Sequence, residues 1–224
     1  MAKILITAGA TREHIDPVRY ITNASSGLQG ILLAQVALFE YGHDVVLILG
    51  ETSIDLNKHN LLFHELRDRL KIINVVSADD MYEAAVKEFP SCDVAICAAA
   101  VGDYKVANIA TEKIKRTGDT LTLELVPNKD IAKELGAMKQ PHQKLIGFAL
   151  ETSNGDISVA FSNAEGKIKK KNLDSIVLNI TSPENPAFNV DSNQVWIINS
   201  DGGYRAYSPM AKSQIAKKIL DVCL

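Results

Sequence analysis

The chain has 224 residues, 46% of them hydrophobic, and a formal net charge of −3. That is enough apolar material for one α/β core, and the charge balance excludes a general electrostatic attraction to nucleic acid or an anionic membrane. No apolar run is long enough for a membrane-spanning helix, and the three cysteines (Cys92, Cys97, Cys223) lack the even count of a disulfide framework and the spacing of metal ligands, so a cytoplasmic protein is expected. The opening Met-Ala-Lys-Ile-Leu-Ile-Thr is too short in its apolar part for a signal peptide and reads as a strand at 3–7. A polar connection over 8–24 follows, then a helix over 26–41, capped by Ser25 or Ser26 and closed by Gly42. The apolar run at 44–49 suits a strand buried on both faces of a parallel sheet. A polar loop (52–60), a short helix (61–69) and a strand (71–76) come next. Ser77 caps a helix over 78–89, with Asp79 and Asp80 in its first turn, where acids complement the dipole.

The strand at 93–98 runs into Ala98-Ala99-Ala100-Val101-Gly102-Asp103-Tyr104. Small residues at the carboxyl end of a central strand leave room for a ligand at the place where open α/β sheets bind one. They equally permit tight packing against the first helix. A charged connection over 105–118 reads as a solvated loop or as a phosphate-seeking flap. A half-exposed edge strand or arm is expected at 120–126, a helix capped by Asn128 at 128–138, and a strand at 145–149. The helix over 157–171 ends in Lys167-Ile168-Lys169-Lys170-Lys171; lysines there complement the helix dipole, and Lys167 and Lys171 share a face. A strand at 174–180, a hairpin of 195–199 with 203–207, and a helix begun by Ser208-Pro209 complete the chain. The alternation predicts an α/β fold, a Rossmann-like doubly wound, mostly parallel sheet with a β-hairpin or arm addition, in one domain over 1–224.

One stretch stands out. Between the first strand and the first helix lies I-D-P-V-R-Y-I-T-N-A-S-S-G-L-Q-G, residues 15–30. A helix start offers unpaired backbone N–H groups and a partial positive charge, the ordinary setting for a phosphate. Gly27 and Gly30 let the backbone approach such a group, or let the helix pack closely on the sheet. The glycine spacing is not the dinucleotide fingerprint, which belongs directly after the first strand. With Asp103 and lysines at 113, 167 and 171, the pieces lack a nucleophile, a metal cage and a Ser–His–Asp set. That suits phosphoryl or nucleotidyl transfer, in which catalysis is mostly positioning and charge neutralisation.

Six blocks in order, T-R-E-H-I-D-P-V-R-Y-I-T-N-A-S-S-G, A-A-A-V-G-D-Y, E-K-I-K-R, V-P-N-K-D-I, G-F-A-L-E-T and K-x3-K-N-L-D-S-I-V-L-N, span about positions 7 to 190. Together they resemble the phosphopantothenoylcysteine synthetases (phosphopantothenate–cysteine ligases) of coenzyme A biosynthesis. With no flavin-binding decarboxylase half in this chain, the resemblance is to the stand-alone form, with a separate decarboxylase protein acting next. It implies a two-step ligation. The carboxylate of 4′-phosphopantothenate attacks the α-phosphate of a nucleoside triphosphate, giving an acyl-nucleotidylate and pyrophosphate; the amino group of L-cysteine then displaces the nucleoside monophosphate. Carried over by position, Asn23 stands beside the reacting carboxyl, holding its carbonyl. Ser25, Gly27 and Gly30 cradle the pantothenate phosphate, and Ala98, Asp103, Val126, Pro127, Asn128, Lys129 and Phe148 contact the nucleotide. Lys113 meets the α-phosphate, and Lys167 and Lys171 grip the triphosphate tail. Mg²⁺ bound through the nucleotide phosphates, CTP in preference to ATP, and a homodimer are implied as well.

Three positions depart from the family pattern: Ala10 in the usual Gly-Gly-Thr, Lys129 in Asn-Pro-Asp, and Gly102 in A-A-V-A-D-Y. The rival enzyme reading, a short-chain NAD(P)-dependent reductase, lacks its glycine spacing and its Y-x-x-x-K pair, since Asn108 follows Tyr104 by four. A non-catalytic nucleotide-binding module is the third reading, and would release no pyrophosphate.

Overall fold

The computed structural model describes residues 1–62, 68–116, 118, 120–152, 156–181 and 190–224. Strand β1 (Lys3–Ala8) has Ile4, Leu5 and Ile6 fully buried, as a parallel strand covered on both faces requires. The connection read as a loop is instead a hairpin, β2 (Arg12–Asp16) and β3 (Arg19–Thr22), paired antiparallel and separate from the main sheet. All four residues of β3 are exposed, so no apolar alternation marks it in the sequence.

Helix α1 (Leu28–Phe39) starts two residues later than expected. Its cap is Gly27, at φ +80°, which has no side chain to cap with; Ser26 Oγ accepts from the Leu28 N–H at a long 3.5 Å. Ser25 Oγ is occupied locally, accepting from the Gly27 N–H at 3.2 Å. A Cβ on Gly30 would sit 2.5 Å from Ala8 Cβ, and one on Gly27 would sit 2.9 Å from Gly9 Cα. Both glycines therefore press α1 against the end of β1.

Strands β4 (Asp44–Leu49) and β5 (Leu70–Asn74) follow. Of the helix expected at 61–69, residues 63–67 lie outside the described residues, and 61–62 and 68–69 are turn. Helix α2 (Ala78–Glu88) carries the expected cap as a full capping box, Ser77 with Asp80. After β6 (Val94–Cys97), the strands β7 (Tyr104–Val106) and β8 (Leu125–Pro127) form a two-stranded ribbon, much shorter than the arm foreseen at 120–126. Helix α3 (Ile131–Met138) is capped by Asp130, which accepts from the Lys133 N–H at 3.1 Å; Asn128 lies outside the helix. Strand β9 (Lys144–Glu151), helix α4 (Ile157–Lys171) and strand β10 (Ser175–Ile180) agree with the sequence reading. Strands β11 (Ser192–Asn199) and β12 (Tyr204–Ala211) form the hairpin, and β12 runs through Ser208 and Pro209, so α5 (Lys212–Cys223) starts four residues later than expected. Proline is tolerated there because β12 is an edge strand and the pairing is irregular opposite it, between Asn193 and Val195.

The main sheet has the order β12-β11-β10-β9-β6-β1-β4-β5, parallel from β10 to β5, with β11 antiparallel to both its neighbours, β10 and β12. The chain winds outward from β1 to β4 and β5, then crosses back to β6 on the other side. The order reverses between β1 and β6, so this is the switch point of a Rossmann-like doubly wound sheet. Helices α1 and α5 pack together on one face, with one buried cluster; α2, α3 and α4 cover the other with a second.

Candidate active site

At the switch point the turns after β1 and β6 are stitched together: Ala100 N–H donates to Gly9 O at 2.9 Å, and Gly102 N–H to Thr11 Oγ1 at 3.0 Å. Two cavities open at this carboxyl edge of the sheet. The larger, about 590 Å³, lies toward α3 and α4; the smaller, about 170 Å³, lies at the start of α1. Residues 99–100 and 148–150 border both, so the two adjoin as one cleft divided along these residues.

The larger cavity gathers Asn23, Asp103, Asn128, Lys129, Phe148, Lys167 and Lys171 from the expected set. Asn23 is held firmly: Nδ2 donates to the carbonyls of Ala100 and Val101, 3.1 Å each. Both amide protons are thereby spent, and Oδ1 is what remains for a substrate. Asn128 donates its side-chain N–H to Gly102 O and its backbone N–H to Asp103 O, both at 2.8 Å, which fixes the small-residue turn against the β7–β8 ribbon. Val126 and Pro127 do not line the cavity; they pair with Lys105 and Tyr104 in that ribbon. Lys129 rests with Nζ 4.5 Å from the centre of the Tyr82 ring, a contact that the family's proline cannot make.

Lys167 donates to Glu151, and Lys171 pairs with Asp130 at 3.0 Å. Burial pulls the Glu151 carboxyl upward, but its bonds from Lys167 and Asn163 outweigh this and hold it below its ordinary value. Cys97 also lines the cavity; burial pushes its thiol up to about 12, against the pull of nearby Lys171, so it stays protonated and unsuited to nucleophilic attack at neutral pH. Among the described residues no cluster of three or more histidine, cysteine or carboxylate side chains could hold a metal ion.

The smaller cavity is lined by Ser25, Gly27 and Ala98 from the expected set, and by Asn179, Asn193 and Lys212, which sequence reasoning missed. The two asparagines sit in β10 and β11, where only the position of a strand end marks them. Lys212 was hidden by the misplaced start of α5, which put it inside a helix rather than at its first residue. Gly30 lines neither cavity, and its tight fit on Ala8 explains it as packing.

Lys113 is exposed and also lines neither cavity. Its segment is tied to the β2–β3 hairpin. Asp16, fully buried, accepts from the N–H of Val18, Arg19 and Ile114 and from the Arg19 guanidinium, while Arg19 Nη2 donates to Ile114 O at 2.9 Å. Ala110 N–H adds a bond to Ile15 O at 3.0 Å. The Arg19 guanidinium, aided by these N–H donors, holds the Asp16 carboxyl well below the usual carboxylate range despite its burial.

Such a sheet, with a lysine-bearing cleft at its switch point and a helix start beside it, defines the class as Rossmann-like α/β proteins. Residues 1–224 match the DNA/pantothenate metabolism flavoprotein C-terminal domain family, and the chain belongs to that family. It is 38% identical over 218 residues to a cysteine/cysteine sulfinic acid decarboxylase from an unknown prokaryotic organism, covering 97% of this chain and 56% of that protein. It is 38% identical over 227 residues to the coenzyme A biosynthesis bifunctional protein CoaBC of Mycobacterium bovis, covering 98% and 51%. The chain thus spans about half the length of the curated relatives it matches. The crystal structure of the C-terminal domain of a CoaBC protein is similar at 35% identity and a TM-score of 0.76, over 99% of this chain and 93% of that one. A mutant of Cab2 in complex with phosphopantothenate-cysteine shares the fold at 18% identity and a TM-score of 0.74, over 99% and 86%. The family and fold expected from the motifs are borne out.

Proposed function

We propose that residues 1–224 act as a phosphopantothenate–cysteine ligase domain in coenzyme A biosynthesis, working through an acyl-cytidylate. The observation that carries the reading is the divided cleft, with Asn23 on the wall of the larger cavity and the start of α1 in the smaller. A linear molecule with a phosphate at one end and a carboxylate at the other fits such a layout, and the lysine-bearing larger cavity suits the nucleotide. The names of the relatives and the product bound to Cab2 support the same substrates.

In this reading Lys167 and Lys171 exchange their carboxylate partners for the triphosphate, and the substrate carboxylate attacks the α-phosphate as pyrophosphate leaves. Activation turns a poor acyl donor into a good one without a protein nucleophile, consistent with a protonated Cys97. Cysteine then attacks the activated carbonyl. The free Oδ1 of Asn23 suits an N–H of the incoming amine, a different task from the carbonyl-holding one expected from the motif. Asp103 and Asp130, on the cavity wall, are the carboxylates available to Mg²⁺ carried in on the nucleotide, a fit for a metal held mostly by phosphate oxygens. When bound, Mg²⁺ neutralises charge on the leaving pyrophosphate.

Lys113 as the α-phosphate lysine requires either movement of its segment or a second protomer. A homodimer supplies the latter, and exposed Val18, Tyr20, Ile21, Ile109 and Leu125 on the hairpin and around the ribbon support an association there. The test incubates the pure protein with phosphopantothenate, cysteine and each nucleoside triphosphate in turn. Amide product with one CMP per pyrophosphate is expected; AMP instead would reassign the nucleotide, and pyrophosphate release from none would refute the ligase.

A further inference from the structure

Helix α4 ends on Asn172, which lies in the left-handed region at φ +52°. Glycine is the ordinary occupant of that place, because it has no Cβ to strain. Asparagine brings an amide instead, and its Nδ2 donates to Gly136 O at 2.8 Å, 36 positions back in α3. Gly136 is the other half of the arrangement. Glycine is a poor choice inside a helix of eight residues, yet a Cβ there would stand 1.9 Å from the carbonyl oxygen of Lys171. Both residues thus go against local preference at one crossing, where the last turn of α4 lies directly on α3. Lys139, just past α3, adds Nζ donations to Asn172 O at 2.9 Å and to Asp174 at 2.8 Å.

The two helices meet again at the start of α3. Asp130 caps α3 by accepting from the Lys133 N–H, and pairs with Lys171 at 3.0 Å. This second tie is the one a polyphosphate removes when it takes Lys171. The Asn172–Gly136 bond carries no charge and has nothing to exchange with an anion. We infer that Asn172 is a positioning residue for the triphosphate: its bond to Gly136 keeps the last turn of α4 seated on α3 while Lys171 changes partners, so that the ammonium meets the phosphates from a fixed backbone. The inference rests on the ligase reading and extends it to a residue that lines neither cavity. Without the bond, the last turn of the helix spends part of its time off α3, and each binding event must reorder it.

Asn172→Gly is the direct probe, since glycine keeps the left-handed turn and removes only the amide. Calorimetry on the full chain measures the affinities for CTP, ATP and 4′-phosphopantothenate in wild type, Asn172→Gly, Lys171→Met and the double variant. Asn172→Gly should bind the triphosphate roughly 3- to 10-fold more weakly, the worth of one neutral hydrogen bond. Phosphopantothenate affinity should be unchanged, because the smaller cavity draws no lining from α3 or α4 among the described residues. Added to Lys171→Met, the same substitution should cost less than about 2-fold, because the side chain it positions is gone. Lys139→Met, which removes the neighbouring donation to Asn172 O, should weaken triphosphate binding in the same way, and carries the test if Asn172→Gly does not melt cooperatively. A merely structural role would lower the melting temperature and leave the triphosphate affinity of the folded protein untouched. That result, an equal loss in the Lys171→Met background, or a matching loss for phosphopantothenate overturns the inference while leaving a ligase intact. A wild type that binds neither triphosphate, or a Lys171→Met variant that binds as tightly as wild type, overturns the ligase reading's use of Lys171, on which the inference stands.

Discussion

Asn23 shows how much a motif leaves open. The asparagine is legible in the sequence as a site candidate, and it lines the larger cavity, but its hydrogen-bond accounting is not legible. Two carbonyls from the turn after β6 take both amide protons, and those carbonyls come from residues 77 and 78 positions away. Asn23→Asp replaces a double donor with a negative charge facing two acceptors, so the side chain should swing off the wall. Amide formation is expected to fall at least ~10-fold more than pyrophosphate release, the loss of about one charge-sized interaction; separate assays of pyrophosphate and product check this, and parallel losses would count against the role. Gly30 illustrates the opposite case. Both readings of its motif, phosphate cradle and close packing, were open from the sequence, and the 2.5 Å at which an added Cβ would meet Ala8 Cβ accounts for the glycine by packing. Gly30→Ala sets overpacking of about 1–3 kcal/mol against a helix-propensity gain of about 1 kcal/mol. Net destabilisation of up to ~2 kcal/mol is expected in urea titrations, with phosphopantothenate affinity unchanged in the folded fraction.

Elements were legible where local chemistry marks them. Ser77 and Asp80 announce α2, and the lysine-rich end of α4 closes a helix whose bounds match. The β2–β3 hairpin was not legible, because it buries no apolar face and is held by two buried carboxylates, Asp16 at its turn and Glu13, which accepts from the Ala78 N–H at 2.9 Å. Asp16 bonds the hairpin turn and both atoms of the Ile114 peptide are engaged, its N–H by Asp16 and its carbonyl by Arg19, so hairpin and Lys113 segment behave as one piece. Since the folded carboxyl titrates below its unfolded value, its contribution to stability is present above about pH 4 and is lost as pH falls through the folded value. Asp16→Asn should lower the melting temperature at pH 7, flatten the acid side of the stability profile, and expose residues 107–116 to protease. A variant with wild-type cleavage and melting would show that the carboxylate holds nothing. The start of α5 was missed for a related reason: Ser208-Pro209 carries a helix-start signal, but pairing of β12 with β11 overrides it.

For the whole molecule, alternation of strands and helices was enough to foresee the doubly wound sheet and its switch point, since that topology follows from short connections between buried strands. The division of the cleft was not foreseeable, because it depends on stitching between residues 91 positions apart. The resting cleft is also internally neutralised: Lys167 and Lys171 already sit on Glu151 and Asp130. An incoming anion must therefore outbid two built-in rivals, which a small ion touching one lysine cannot do and a polyphosphate touching both can. The larger cavity should in consequence ignore sulfate and orthophosphate yet respond to pyrophosphate. Glu151→Gln should remove that threshold, making sulfate a measurable competitor of the triphosphate in inhibition assays; sulfate equally inert toward both forms would show that the carboxylates do no gatekeeping.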